Sequence, residues 1–307
     1  MPPLSFRFPC LNGSNCVNNG WTRHRLDVDR KKQECGWCRG DRHGGGHGYG
    51  TGTLEKEDHI DVAVGVSIGL SAGAFGAHRF WYLSTNCGPG TRPDGAHGEP
   101  LVVVKRLRFH NRRFTALLCD EESDFICALE RILWSWGLRG PEAVQYFAMT
   151  NAKALPLMRA VILNSDEPNP RLAAGINVMD PNCPSPRHLY YEGWIDFHNN
   201  EFPNIDVILN INYSHALRSL AVRAVKHSLS DWPADPRRLV RGLMERFRGK
   251  SWLVSKPRIG PNSYITIIGR KSSLLSKRLQ EQSVRQGFYP PNSPQGQEYL
   301  DSTEHKS

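Results

Sequence analysis

Four cysteines and two histidines near the start of the chain are spaced for metal ligation. Cys10, Cys16, Cys35 and Cys38 form one set of four. In it a Cys-x2-Cys step brings two thiolates to one tetrahedral Zn²⁺, and the distant pair closes the site. The run CGWCRGDRHGGGH holds a second set, Cys35, Cys38, His43 and His47. Zinc takes four ligands, so the sets share Cys35 and Cys38, and spacing alone leaves both open. Among the remaining cysteines, Cys119 and Cys127 fall on apolar stretches and read as core thiols.

Two further groups of residues carry chemistry. The first is basic. The formal charge is +9, yet residues 218–285 hold 16 Lys/Arg against four acids, whereas residues 114–217 hold six against 13. Arg237, Arg238, Arg241 and Arg248 on one expected helix, with Lys250, Lys256, Arg258, Arg270 and Lys271 on adjoining strands, form a candidate phosphate footprint. Trp37 and Trp252 are candidate base-stacking residues. The second group is polar residues that end hydrophobic strands: Asp180 after AGINVM, then Asn210, Asn212 and His215 in NIDVILNINYSHAL. Ligands of open α/β sheets sit at such carboxyl ends, so these four are candidate cofactor contacts. Asp196, His198 and Glu201 in WIDFHNNEFP are a further acid–base or metal candidate, Asp196 and His198 sharing one face of an expected strand. The loop CGPGTRPDGAHGE is glycine-rich but lacks the Gly-Lys-Ser/Thr close of a phosphate loop.

The elements that must position these groups follow from periodicity. At 307 residues, with 39% hydrophobic and 22% charged, the chain is long enough for a sizeable core and is neither a disordered nor a polytopic membrane composition. Residues 1–58 show no regular period and read as a Cys/His-rich module folded around metal. From 59 to 286 the pattern predicts a mixed α/β or α+β domain, acidic over 114–217 and basic over 218–286. Strands are expected at 62–70, 78–84, 100–109, 113–119, 157–163, 173–179, 188–197, 205–212, 251–255 and 263–269. Helices are expected over 120–152, capped by Asp120 or Ser123 and broken at Gly140-Pro141 with a second short helix beyond, at 214–229, and from an Asp235 cap and Pro236 to near Gly249. The polar, proline-containing tail 287–307 is expected to be disordered. The apolar run 62–77 is too short to span a bilayer, and no secretory signal opens the chain, so a cytoplasmic or nuclear protein is expected.

Two local resemblances add to this. Residues 35–47 resemble the retroviral-type zinc knuckle, Cys-x2-Cys-x4-His-x4-Cys, with His47 one position early in place of the last cysteine. That resemblance implies single-stranded nucleic-acid binding with Trp37 exposed. Residues 155–272 resemble the second half of a class I S-adenosylmethionine-dependent methyltransferase, and the ending KP…NSYITIIGRK is similar to the RNA ribose methyltransferase branch. The chain departs from that branch in three places. NSDEPNP follows Leu157–Leu163 where a glycine loop is expected, Asp206 begins its strand instead of ending it, and Tyr264 stands in the place of the last acid of the Lys-Asp-Lys-Glu set. The first expectation is therefore a zinc-containing protein that binds nucleic acid, RNA or single strands above all. The catalytic alternative is a divergent RNA methyltransferase using S-adenosylmethionine. A third is a viral or mobile-element assembly protein, self-associating through its acidic and basic faces.

Overall fold

The computed structural model describes residues 53–72, 79–91, 97–180, 190–211, 238–258 and 263–304. Within them, eight strands form one sheet: β1 Phe80–Ser84, β2 Phe114–Asp120, β3 Val144–Ala148, β4 Ala174–Met179, β5 Ile205–Ile211, β6 Lys250–Ser255, β7 Ile265–Lys271 and β8 Phe288–Tyr289. They lie in the order β3-β2-β1-β4-β5-β7-β6-β8. β1 to β5 are mutually parallel. β7 is antiparallel to both β5 and β6, and β8 is antiparallel to β6. The chain therefore builds outward from β1 to β3, then returns across β1 to lay down β4 and β5. This reversal makes a topological switch point between β1 and β4.

Among the described residues, eight helices flank the strands: α1 Thr53–Ala72, α2 Glu99–Phe109, α3 Ser123–Ser135, α4 Asn151–Leu163, α5 Tyr190–Asp196, α6 Leu239–Arg246, α7 Lys277–Arg285 and α8 Pro294–Glu304. Successive strand residues point to opposite faces, and a parallel sheet must be covered on both. On one face Ile60, Val64 and Ile68 of α1, Leu107 of α2 and Leu129 of α3 cover Phe80, Tyr82, Leu118 and Val178. On the other, Met158 of α4, Trp194 of α5, Leu243 of α6 and Leu300 of α8 cover Trp81, Leu83, Leu117, Val207 and Ile267. The result is a three-layer mixed α/β fold.

Strands expected at 78–84, 113–119, 173–179, 205–212, 251–255 and 263–269 are present as β1, β2, β4, β5, β6 and β7. Of the helical stretch 120–152 the first part is α3, while the short helix expected after Pro141 is strand β3, paired in parallel with β2. Others are corrected. Residues 62–70 belong to α1, whose buried positions Ile60, Ala63, Val64, Ser67 and Ile68 follow a helical i, i+3, i+4, i+7, i+8 spacing. Residues 100–109 are α2, with Pro100 in its first turn, where a missing N–H costs nothing. Residues 157–163 are the second half of α4, and 188–197 gives way to α5 and a single π turn, Phe197–Glu201. The tail is ordered as far as Glu304, because β8 extends the sheet and α8 buries Leu300. The expected boundary at 58/59 falls inside α1. The helix expected at 214–229 lies outside the described residues. Among the described residues no helix is long and apolar enough to cross a membrane.

Candidate functional site

β1 runs straight into the loop Thr85-Asn86-Cys87-Gly88-Pro89-Gly90-Thr91, which lies at the carboxyl edge of the sheet beside the switch point. The loop is tied to the strands on either side. Thr85 N donates to Val178 O of β4 at 3.2 Å, and Cys87 N donates to Cys119 O of β2 at 2.9 Å. Gly88 N donates to Asp120 Oδ2 at 2.9 Å. Gly88 and Gly90 have φ of 60° and 80°, the left-handed region that glycine enters without strain. A Cβ on Gly90 would lie 2.5 Å from Leu129 Cδ1, so the loop is packed down on α3. Gly98 N donates to Gly90 O at 2.7 Å, which brings the start of α2 back to the loop.

Glu99 opens α2, where the helix dipole favours a carboxylate. It is buried and accepts from Tyr82 Oη at 2.5 Å and Ser84 Oγ at 2.8 Å, anchoring the helix to the end of β1. Burial, with Glu99 adding to it, pushes the Tyr82 hydroxyl well above its ordinary pKa, so it stays a donor. Burial also pushes the Cys87 thiol well up, reinforced by Asp120 and Glu99, which makes it a poor nucleophile. Asp120, the last residue of β2, also accepts from Glu122 N at 3.0 Å. On the β3 side, Asn151 Nδ2 donates to Asn86 Oδ1 at 3.4 Å. A glycine loop after one strand and an acid ending the next is the arrangement that holds a nucleoside in doubly wound sheets.

Across the switch point, Asp180 follows β4. Its Oδ1 accepts from Asn210 Nδ2 of β5 at 2.7 Å. Asn210 Oδ1 accepts from Thr266 Oγ1 of β7 at 3.2 Å, and Thr266 N donates to Ser255 Oγ of β6 at 3.2 Å. Two of the expected cofactor contacts, Asp180 and Asn210, are thus brought together. Asn212 and His215 lie outside the described residues, as do Cys10, Cys16, Cys35, Cys38, His43, His47, Trp37 and Arg237. Among the described residues no group of three or more His, Cys, Asp or Glu is arranged to hold a metal.

The opposite, amino edge of the sheet holds much of the expected phosphate footprint, in structural roles. Arg270 is buried in an ion pair with Asp206 at 2.7 Å. Lys250 Nζ donates to Pro203 O at 2.9 Å and Ile205 O at 2.7 Å. Burial pushes the Lys250 ammonium down to about 8, against the pull of Asp206. Lys271 Nζ donates to Asn204 Oδ1 at 3.1 Å. Trp252 is buried over Gly269, with its Nε1 donating to Met244 O at 3.1 Å, so it presents no face for stacking. Arg241 is paired with Asp301 at 2.7 Å. Arg238, Arg248 and Lys256 are exposed and Arg258 is half-buried. Of the four, Lys256 and Arg258 follow β6 and so lie at the carboxyl edge.

The expected cluster of Asp196, His198 and Glu201 does not form. A helix and π turn in place of a strand send the three apart. Asp196 is exposed and accepts from Asn200 Nδ2 at 2.5 Å, and Glu201 pairs with Arg159. His198 is fully buried with Nε2 3.0 Å from Asn177 Nδ2. Burial, and then Lys250, hold its imidazole well below the ordinary pKa. Sequence reasoning set the loop from Cys87 aside because it lacks a phosphate-loop close, and read Asp120 only as a helix cap. The signal was a short apolar strand, FWYLS, running into CGPG, with an acid closing the following strand.

No family model matches the chain, and no curated protein matches it. Similar solved structures include protein LPL1258 from Legionella pneumophila, at 12% identity and TM-score 0.42, covering 75% of this chain and 93% of that one. A methyltransferase from Pyrococcus furiosus has 12% identity and TM-score 0.33, covering 67% and 82%. A spermidine synthase in complex with the transition-state analogue AdoDATO has 12% identity and TM-score 0.43, covering 82% and 71%.

Proposed function

We propose that this protein is an S-adenosylmethionine-dependent methyltransferase whose cofactor site lies at the carboxyl edge between β1 and β4. The observation that carries the reading is the loop 85–91, hydrogen-bonded through Gly88 to Asp120 at the switch point of a sheet in which antiparallel β7 lies between β5 and β6. The residues present fit such a ligand. Left-handed Gly88 and Gly90 let the backbone approach it closely. The Asp120 carboxylate ends the strand beside this loop, the place from which an acid accepts from ribose hydroxyls in doubly wound sheets. Bound there, S-adenosylmethionine supplies an electrophilic methyl group, and the protein's part is to orient it toward the acceptor held near Asp180. Calorimetric titration of the full chain with S-adenosylmethionine tests this. A saturable one-to-one heat that is weakened by Asp120→Ala is expected, and no heat with the wild type would overturn the reading.

We infer further that the acceptor is nucleic acid, RNA above all. Lys256 and Arg258 at the same edge, and exposed Arg238 at the start of α6, support this. With about three phosphates neutralised, affinity for a single-stranded RNA should fall about 10–50-fold between 50 and 200 mM salt. A binding constant that does not change with salt would exclude it.

A further inference from the structure

We propose that the outward face of α2, together with the end of α3, is a binding track for single-stranded RNA that leads away from the carboxyl edge and ends on Phe109 as a base-stacking platform. This rests on the reading of RNA as the partner, but it uses none of the residues that support that reading.

The track is built on a helix that is apolar on one side only. Leu101, Val103, Val104 and Leu107 of α2 are buried, whereas Lys105, Arg108 and Phe109, at i, i+3 and i+4, share the side turned to solvent. At about 1.5 Å per residue, α2 runs about 16 Å from Gly98, beside the glycine loop, to Phe109 at the amino edge. Its one acid, Glu99, is buried at the other end.

Phe109 is 79% exposed. A lone apolar side chain in solvent is ordinary, but here the backbone holds the ring out. Asn111 N donates to Arg108 O at 2.9 Å and Arg112 N to Leu107 O at 3.1 Å, with Asn111 at φ 48°. This is a Schellman ending, which fixes the last turn of α2. The Phe109 ring stands perpendicular to that of His110, with 5.4 Å between centroids.

The same face carries charge and further rings. Arg108 Nη1 donates to Trp136 O at 2.9 Å, which ties the end of α3 to α2. The Trp136 ring meets exposed His97, just before α2, edge to face at 5.4 Å. Burial holds the His97 imidazole below its ordinary pKa, and Lys105 is close enough to add to the effect. Asp61 is taken by Arg106, and Asp166 by Arg79 and Arg113. Rings and cations thus follow one line: His97, Trp136, Lys105, Arg108 and Phe109.

Unpaired bases stack on exposed rings, and phosphates sit beside Lys and Arg, so such a line fits a single strand. A duplex offers Phe109 no free base face. An acidic peptide would use the cations and leave the ring idle. A bilayer surface takes several apolar side chains in one plane, which the outward face of α2 does not present.

Fluorescence anisotropy of the full chain with a labelled single-stranded RNA tests the track. Phe109→Ala should weaken binding about 5-fold or more without changing its salt dependence, as the loss of one stacked base requires. Phe109→Trp should keep wild-type affinity. Lys105→Gln combined with Arg108→Gln should reduce the slope of log affinity against log salt by about 1.4, since each of two phosphates contributes about 0.7. Duplex RNA of the same sequence should not respond to Phe109→Ala. If Arg108→Gln loosens the end of α3, Phe109→Ala alone decides. No RNA binding by the wild type overturns the RNA reading itself. Binding that Lys256→Gln and Arg258→Gln weaken, but Phe109→Ala leaves unchanged, overturns the track and leaves that reading standing. Co-sedimentation with phosphatidylserine vesicles that Phe109→Ala abolishes, with RNA affinity unchanged, shows a membrane surface instead and also overturns the track.

Discussion

The backbone N–H of Gly88 donates to the Asp120 carboxylate across the gap between β1 and β2, at 2.9 Å. Loop shape and carboxylate orientation are therefore set by each other. Asp120→Ala should lower S-adenosylmethionine affinity by about 10–100-fold, since it removes a charged acceptor and frees the loop together. Asp120→Asn, which keeps an acceptor oxygen, should lose less. Calorimetry on both variants checks the order.

Gly90 has a second constraint besides its φ of 80°. Gly90→Ala forces a Cβ against Leu129 in a conformation L residues avoid, at a cost of about 1–3 kcal/mol. Urea denaturation should show that loss, and cofactor affinity should fall with it. By contrast, Gly137→Ala, at φ 81° with nothing near its Cβ, should cost only the backbone strain and leave the cofactor affinity unchanged.

Asp206 and Arg270 form an ion pair removed from water on both sides. Asp206→Asn keeps the shape but strands the guanidinium, so a loss of about 3–5 kcal/mol in unfolding free energy is expected. A loss under about 1 kcal/mol in a denaturant titration would show that Arg270 finds another partner.

Lys250 gives the fold a pH dependence of definite sign. Burial is the main cause of its low pKa of about 8, Asp206 opposes it, and Arg270 and Lys271 add to it. The unfolded lysine titrates near 10.5. Between about 8 and 10.5 the unfolded chain binds more protons, so unfolding free energy from this group rises with pH, by about 3 kcal/mol in all. Below that window both states are protonated and the contribution is flat. The difference in stability between wild type and Lys250→Met, measured at pH 7 and pH 10, should change accordingly.

Residues beyond Gly287 hold the edge of the sheet and one helical face. Deleting residues 290–307 removes the buried Leu300 and the Arg241–Asp301 pair. The expected loss is at least about 2 kcal/mol, seen as a fall of about 4–8 °C in Tm.

Local pattern was enough for some of this protein. β2, β4, β5, β6 and β7 are dense in β-branched and leucine side chains, and α3 has a clear stripe at Phe125, Ile126, Leu129, Ile132 and Leu133. Asp180 and Asn210 were recognisable as strand-end polar residues for the same reason. Periodicity misled where small residues fill the buried stripe. In α1 the spacing is carried partly by Ala63 and Ser67, while Val62, Val64, Val66 and Ile68 mimic strand alternation. Lys250, Trp252 and Arg270 look like a basic, aromatic surface because nothing local reports burial, which depends on the strands on either side. Strand order lay furthest from the sequence. The insertion of β1 between β2 and β4 decides that CGPG, and not NSDEPNP, meets the switch point, and that Asp120 ends the strand beside it. Those pairings join segments tens of residues apart, and only the tertiary structure brings them together.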